Sequence, residues 1–408
     1  MPSQAESTTP PAGEAGSPSE VFNTFLRLGV ISFGGPIAHL GYFHDELVRR
    51  RRWIDEAGYA DLVALCQFLP GPASSQVGFS LGVLRGGGLL GGLAAWAAFT
   101  LPSALLLLAF AYGVALFSGP LGTGLLHGLK LVAAAIVAQA VWGMARSLAP
   151  DGERASIAAG AVLLLAFVDN SLDQIGAILL GGLAGLVLCR GAPAAAVGQL
   201  AFPVSRRAGA VALMLFLLLL LVPPLAATAS GSQAVALFDA FYRSGALVFG
   251  GGHVVVPLLR VEVVDPGWVS ADSFLAGYGA AQAVPGPVFA FAAYLGAMMA
   301  SPPNGIPGAA MALAAIFLPG LLLVYGSLPF WDAFRTRALM QAAMRGTNAA
   351  VVGILGAALY DPIWTSAVRD SRDFALALTG FVLLAVWKAP SWVVVALLAA
   401  AGMLLAGI

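Results

Sequence analysis

The sequence predicts an all-α polytopic membrane protein with two inverted-topology repeats, whose helices are broken or re-entrant at Gly-Gly and Pro-Gly-Pro motifs. Three observations predict this fold: the composition, an internal repeat, and the glycine and proline strings that interrupt apolar sequence. Hydrophobic residues make up 59% of the 408-residue chain and charged residues only 10%, whereas soluble domains carry about 25% charged residues. Because lipid excludes unpaired backbone and no segment alternates apolar with polar residues, the apolar segments are predicted to be helices.

The chain contains one pattern twice. FLRLGVISFGGP at 25–36 returns as FYRSGALVFGGG at 241–252, and QFLPGP at 67–72 returns as QAVPGP at 282–287. The matched positions include Arg, Glu, Trp and Gln, which shared glycine and alanine content does not explain. A duplicated membrane unit is typical of secondary transporters, which hold their substrate between the repeats.

The repeats divide the chain into four parts. Residues 1–20 are polar and rich in Pro and Ser, which predicts a disordered cytosolic tail and no signal peptide. The first transporter repeat is expected at 21–190 and the second at 236–408. Residues 191–235 supply a linker loop and a connecting transmembrane helix.

The lengths of the apolar segments predict the topology. Four pieces of the first repeat are too short to cross a bilayer and are expected to form two re-entrant hairpins. They lie at 21–33, 36–50, 57–69 and 72–85. Five longer segments, the connecting helix included, are expected to cross. They lie at 88–117, 121–148, 155–168, 173–190 and 208–226. An odd number of crossings turns the second repeat upside down in the bilayer.

The arginine distribution supports this orientation, because Lys and Arg favour the cytoplasmic side. Residues 49–52 are four arginines, whereas the equivalent region 260–272 carries one arginine and three acids. The four-arginine side is therefore predicted to be cytoplasmic, as is the N-terminus, and its counterpart external. Arg369 and Arg372 would lie outside, against the rule.

The Gly-Gly and Pro-Gly-Pro strings break helices, since proline removes a backbone donor and glycine accepts left-handed angles. Pro36, Pro72 and Pro287 are placed to begin helices, whose free N–H groups and partial positive charge suit an anion. Four breaks brought together by a pseudo-twofold axis would form an anion site near the middle of the bilayer. The alternative is that the breaks are packing kinks, which are common in membrane helices.

Several polar residues are candidates to bind this anion. Arg27 and Arg243 recur at equivalent positions in apolar helices. There a guanidinium either binds an oxyanion through two N–H groups or extends to the lipid headgroups. Lys130 lies deep in an apolar span, with Asn348 at the equivalent position. The predicted substrate-binding residues are Arg27, Ser32, Gly34, Gly35, Gln67, Gly71 and Lys130 in the first repeat, and Arg243, Gly250, Gly251, His253, Gln282, Gly286 and Asn348 in the second.

Glu46 and Glu262 are an acidic pair that recurs at equivalent positions. Carboxylates at a membrane boundary can exchange protons, which makes the pair the candidate for proton coupling. The alternative is that they form interfacial ion pairs with neighbouring arginines such as Arg49.

Other classes of chemistry find little support. Four scattered histidines and two cysteines in apolar segments predict neither a metal site nor a disulfide, and no cofactor is expected. A net charge of zero and the lack of a Walker A string give no sign of a nucleic-acid or nucleotide partner.

The combination of motifs in both repeats is more specific than any one of them. It consists of FGGP followed by an acid and RRRRW, then QFLPGP, then FGGGHVVVPLL and GYGAAQAVPGP. Together they resemble the chromate ion transporter family of bacterial inner-membrane proteins, in its long two-repeat form. The resemblance implies a multi-pass inner-membrane exporter of chromate, a tetrahedral oxyanion close to sulfate in size and charge. The C-terminus is expected in the periplasm.

We expect alternating access of one repeat against the other, driven by the membrane potential and supplemented by proton exchange. Three alternatives stay open: the same transporter with sulfate, molybdate or an organic anion as cargo, a passive anion channel, and a membrane enzyme acting on a lipid phosphate. The enzyme would need paired acids or a His-Asp dyad, which the sequence does not show, so no catalytic residue is predicted. The expected partners are the oxyanion and the bilayer, and a homodimer is left open.

Overall fold

The computed structural model of the chain describes residues 16–114, 119–168, 173–190, 202–249, 254–331 and 338–406. Nearly all of these residues are helical, and none of them belongs to a strand. The predicted all-α fold is confirmed.

The first repeat begins with four short helices, as the sequence predicts. They are α1 (Pro18–Ile31), α2 (Gly35–Phe43, continued by a π-helical turn at His44–Arg50), α3 (Glu56–Phe68) and α4 (Ala73–Arg85). The side chains of Ser17 and Asp55 cap α1 and α3 by accepting from backbone N–H groups of the first turn. The further helices of this repeat are α5 (Leu89–Val114), α6 (Pro120–Leu148), α7 (Gly152–Phe167) and α8 (Asp173–Leu188).

Helix α9 (Arg206–Ser230) connects this unit to a second set of helices in the same order. The short helices are α10 (Gln233–Ala246), α11 (Val255–Val263), α12 (Ala271–Ala281) and α13 (Phe291–Ala297, preceded by a 3₁₀ turn at Val288–Ala290). The others are α14 (Gly305–Ser327), α15 (Ala338–Ala358), α16 (Ser371–Ala385) and α17 (Ser391–Ala406).

Five helices among the described residues are long and apolar enough to cross a bilayer, which makes the chain a multi-pass membrane protein. They occupy Leu89–Gly113, Gly122–Leu148, Arg206–Ser230, Gly305–Phe330 and Ala338–Ala367.

Helices α7 and α8 are shorter than the crossings expected at 155–168 and 173–190 require. Each has 16 residues, about 24 Å at 1.5 Å per residue, against a hydrocarbon core of about 30 Å. They pack against each other as a hairpin, so they add either no crossings or two. The number of crossings between the repeats therefore stays odd in either case, as the predicted inversion of the second repeat requires.

The two repeats exchange their C-terminal hairpins, α7–α8 and α16–α17. The first hairpin packs on α15 of the second repeat, and the second packs on α6 of the first. A Cβ added to Gly185 would lie 2.8 Å from the Gly346 Cα, and one added to Gly402 would lie 2.9 Å from the Gly128 Cα. Small residues allow membrane helices to approach this closely. Because the two contacts join equivalent positions, the repeats are related by a pseudo-twofold axis.

Candidate functional site

The broken helices of the two repeats meet through a pair of equivalent hydrogen bonds. The Gly71 N–H donates to the Val248 carbonyl (N···O 2.7 Å), and the Gly286 N–H donates to the Ser32 carbonyl (2.9 Å). Gly71 and Gly286 are the central residues of the Pro-Gly-Pro strings, while Ser32 and Val248 precede the Phe-Gly-Gly strings. Each Pro-Gly-Pro turn is therefore attached to the end of the first helix of the other repeat.

The same two turns contact the long helices α5 and α14 beside the prolines inside them. A Cβ added to Gly71 would lie 3.0 Å from the Gly320 Cα, and one added to Gly286 would lie 2.9 Å from Ser103 Oγ. Gly320 and Ser103 directly follow the prolines inside these helices. The φ angles of Gly71 and Gly286 are 123° and 96°, a region that favours glycine. Equivalent parts of both repeats thus converge on one place.

Gln76, in the first turn of α4, fixes the first Pro-Gly-Pro turn to the second repeat. Its Nε2 donates to the carbonyls of Pro70 (2.9 Å) and Gly320 (3.0 Å). Because both partners are acceptors, the amide nitrogen must face them and Oε1 must face away. Gln76 is not among the residues predicted from the sequence. Two features could have indicated it: a polar side chain shortly after the Pro-Gly-Pro string, and phenylalanine at the equivalent position 291.

Six buried, uncharged polar residues form what we call the polar face of the first repeat. Each is 2% exposed or less, and they lie on or beside α1, α2, α4 and α5. Nδ1 of the histidine lies 3.3 Å from the hydroxyl of one serine, and its ring contacts Phe99 edge-on with centroids 5.2 Å apart. The polar face consists of Ser32, His39, Ser74, Ser75, Gln76 and Thr100.

The equivalent positions of the second repeat form a matching apolar face. All six of its residues are also 2% exposed or less, so burial is shared and only polarity differs. The apolar face consists of Val248, Val255, Phe289, Ala290, Phe291 and Phe317. The two repeats therefore bring chemically different surfaces to the junction.

Lys130, a predicted binding residue, lies on α6 and is 3% exposed. Its Nζ forms an ion pair with Asp272 of α12, in the other repeat. The Asp272 side chain is 73% exposed, so only the ammonium end of the pair is buried. The positive charge of Lys130 is thus neutralised by an acid in this structure.

Arg243, on α10, is neutralised in a similar way by two acids. Its Nε lies 3.0 Å from Asp239 Oδ2 and its Nη2 lies 2.9 Å from Glu262 Oε2. The equivalent Arg27 is exposed and pairs with no acid in the part of the chain that the structure describes. Glu46, the equivalent of Glu262, pairs instead with neighbouring arginines of its own helix at 2.7 and 3.2 Å.

The remaining predicted residues are distributed around the junction. Gln67 is exposed near the end of α3. Gln282 is 7% exposed, and its Nε2, like Oδ1 of Asn348, has no partner within the described ranges. Gly34 and Gly35 have φ angles of 101° and 78° where the chain enters α2. Gly250, Gly251 and His253 lie outside the described residues.

The pattern of the chromate transporter family matches residues 19–186 and 235–403, which are the two repeats. The chain belongs to this family. It is 31% identical over 412 residues to a chromate transport protein of Pseudomonas aeruginosa, with 98% of this chain and 95% of the relative covered. It is 30% identical over 369 residues to a probable chromate transport protein of Synechococcus elongatus, with 89% and 88% covered.

A chromate transport protein of Cupriavidus metallidurans is 28% identical over 368 residues, with 88% of this chain and 85% of the relative covered. No solved structure gives a significant match to the chain. Family membership makes the chain a transporter with an oxyanion as its substrate class, and it confirms the resemblance seen in the motifs.

Proposed function

We propose that the protein exports chromate across the bacterial inner membrane by alternating access of one repeat against the other. The names of the relatives support the cargo. The observation that carries the proposal is the pair of hydrogen bonds from Gly71 and Gly286, which places helix breaks of both repeats at one junction. The oxyanion binds at this junction, where a relative movement of the repeats changes the side from which it is reached.

The membrane potential supplies the driving force for export. Two negative charges that leave a cell negative inside gain about 2.3 kcal/mol per charge per 100 mV. The N-terminus lies in the cytoplasm and the C-terminus in the periplasm. Proton exchange through Glu46 and Glu262 contributes additional driving force for export.

The unequal ion pairs of the two repeats support alternating access. Arg243 holds Glu262 at 2.9 Å, whereas Arg27 is exposed and Glu46 pairs with other arginines. Because the repeats share a fold, the opposite state arises when each takes the conformation of the other. In that state the pair between Arg27 and Glu46 forms and the pair between Arg243 and Glu262 opens.

Cross-linking tests this exchange of ion pairs. In a background with Cys66→Ala and Cys189→Ala, the double variant Arg243→Cys, Glu262→Cys is expected to react with a short bis-maleimide in the state described here and to lose flux. The variant Arg27→Cys, Glu46→Cys is expected to cross-link only when an imposed voltage populates the opposite state. Equal cross-linking of both pairs at every voltage would contradict the exchange.

Chromate flux tests the transport activity itself. Proteoliposomes with imposed voltage and pH gradients are expected to show saturable chromate transport whose rate rises with a potential that drives anions outward. Sulfate and molybdate, added as competitors, separate chromate from the alternative cargoes. Flux that does not saturate and follows the passive gradient would show a channel instead. A Glu46→Gln, Glu262→Gln variant with unchanged pH dependence would remove proton coupling from the mechanism.

A further inference from the structure

The polar face of the first repeat is not required for the fold, because the second repeat builds the same arrangement without it. The two faces occupy equivalent helices, and both are 2% exposed or less. Val248 stands in place of Ser32, Ala290 in place of Ser75, and Phe317 in place of Thr100. Burying a polar group without a partner destabilises a fold. The polar residues of the first repeat therefore need an explanation other than folding.

Most of the polar face has unused hydrogen-bonding capacity. Ser32 Oγ, Ser75 Oγ and Thr100 Oγ1 have no hydrogen-bond partner among the residues that the structure describes. His39 is engaged by its neighbours: its Nδ1 lies 3.3 Å from Ser74 Oγ, and its ring forms a hydrogen bond with the Ser32 backbone carbonyl. The three hydroxyls are therefore the donors of the polar face that have no partner among the described residues.

The polar face lies against the junction between the repeats. The Ser32 carbonyl accepts from Gly286 at 2.9 Å, and a Cβ on Gly286 would touch Ser103. Ser103 Oγ in turn donates to the Thr100 carbonyl at 2.9 Å. The polar face is thus continuous with the elements that any movement of one repeat against the other must displace.

Two of the three cations predicted to bind the anion are engaged elsewhere, and the third, Arg27, is exposed. Lys130 is paired with Asp272, and Arg243 lies between Asp239 and Glu262. All six residues of the polar face are uncharged types. A neutral surface holds an anion through hydrogen bonds alone, which favours release, and transport requires that binding be weak enough for the ion to leave.

We propose that the polar face of the first repeat binds the oxyanion, with the unpartnered hydroxyls of Ser32, Ser75 and Thr100 as donors, and that the apolar face of the second repeat closes over it. The inference rests on the proposed function and names the residues that would perform it. The ligand class is a small tetrahedral oxyanion held by neutral donors. Gln76 is a positioning residue, because its Nε2 donates to two carbonyls and its Oε1, a hydrogen-bond acceptor, cannot bind an anion.

Three variants of buried hydroxyls test the inference. Ser75→Ala and Thr100→Val each remove an unpartnered hydroxyl with little change of volume. Each is expected to raise the KM for chromate about tenfold or more, since hydrogen bonds to charged groups are the stronger class. Ser80→Ala is the matched control: Ser80 is fully buried on the same helix, but its hydroxyl already donates to the Gln76 carbonyl at 2.8 Å. Its KM is expected to stay at the wild-type value.

Thermal unfolding in detergent and equilibrium dialysis of labelled chromate complete the test. A binding role predicts weaker chromate binding with unchanged or higher thermal stability in Ser75→Ala and Thr100→Val, whereas a structural role predicts lower stability. Wild-type KM and wild-type binding in both variants, with transport intact, would overturn the inference alone. Lack of saturable chromate transport by the wild-type protein would overturn the proposed function, and the two failures are therefore distinguishable.

Discussion

Replacement of Gly71 or Gly286 by alanine is expected to reduce chromate transport strongly. Both residues have positive φ angles, 123° and 96°, which cost an L-residue about 1–2 kcal/mol. The added Cβ would also lie 3.0 Å from the Gly320 Cα or 2.9 Å from Ser103 Oγ. The turn must then withdraw from the other repeat and lose its hydrogen bond there. We expect flux to fall at least about tenfold, which corresponds to about 1.4 kcal/mol.

Gly88 provides a matched control for this prediction. Its φ angle is 135°, close to that of Gly71, but a Cβ on Gly88 would have no atom within 4 Å. Gly88→Ala therefore carries the backbone strain without the collision. Flux into proteoliposomes, normalised to the amount of folded protein, is expected to survive in Gly88→Ala and to be strongly reduced in the other two. Equal flux in all three variants would show that the junction does not depend on close contact.

Removal of Asp272 is expected to destabilise the protein more than removal of Lys130. Asp272→Ala leaves the ammonium of Lys130, which is 3% exposed, without its carboxylate. Breaking a buried ion pair from one side costs about 3–5 kcal/mol, and the exposure of Asp272 places this case at the lower end. Lys130→Met removes the charge and keeps most of the side-chain volume, so its cost is expected to be below about 1.5 kcal/mol.

A double-mutant cycle separates the two contributions. The variant Lys130→Met, Asp272→Ala is expected to unfold at nearly the same temperature as Lys130→Met alone, because no buried charge remains to be stabilised. Chromate binding by these variants is the second measurement. If Lys130→Met loses chromate binding at unchanged stability while Asp272→Ala keeps it, Lys130 binds the anion as the sequence predicts and its pair with Asp272 is only one state of the cycle.

The short helices could be predicted closely because their ends are determined locally. Segments expected at 57–69 and 72–85 appear as Glu56–Phe68 and Ala73–Arg85, since the Pro-Gly-Pro string between them stops one helix and starts the next whatever the surroundings. The bounds of α7 and α8 were predicted to within about three residues as well, since they appear as Gly152–Phe167 and Asp173–Leu188. The expectation that each of them crosses the bilayer is what their 16 residues do not support.

The partners of the charged residues could not be predicted from spacing. Lys130 and Asp272 are 142 residues apart and belong to different repeats, so no local pattern connects them. The polar face had a weaker but readable signal. A single serine in a membrane helix carries little information. When the two repeats are aligned, however, the positions equivalent to Ser32, Ser75 and Thr100 are all occupied by apolar residues. Of these three residues, only Ser32 is predicted from the sequence to bind the anion.

The exchanged hairpins determine when the protein can complete its fold during synthesis. Helix α6 is translated well before α16 and α17, two helices that pack on it, because almost the whole second repeat lies between them in the chain. The surface of α6 around Gly124 and Gly128, which contacts the C-terminal helix, therefore remains without its partner until almost the whole second repeat has been synthesised. The first repeat on its own lacks the helices that cover α6 in the complete fold. Duplication has thus produced a chain whose two halves mature together.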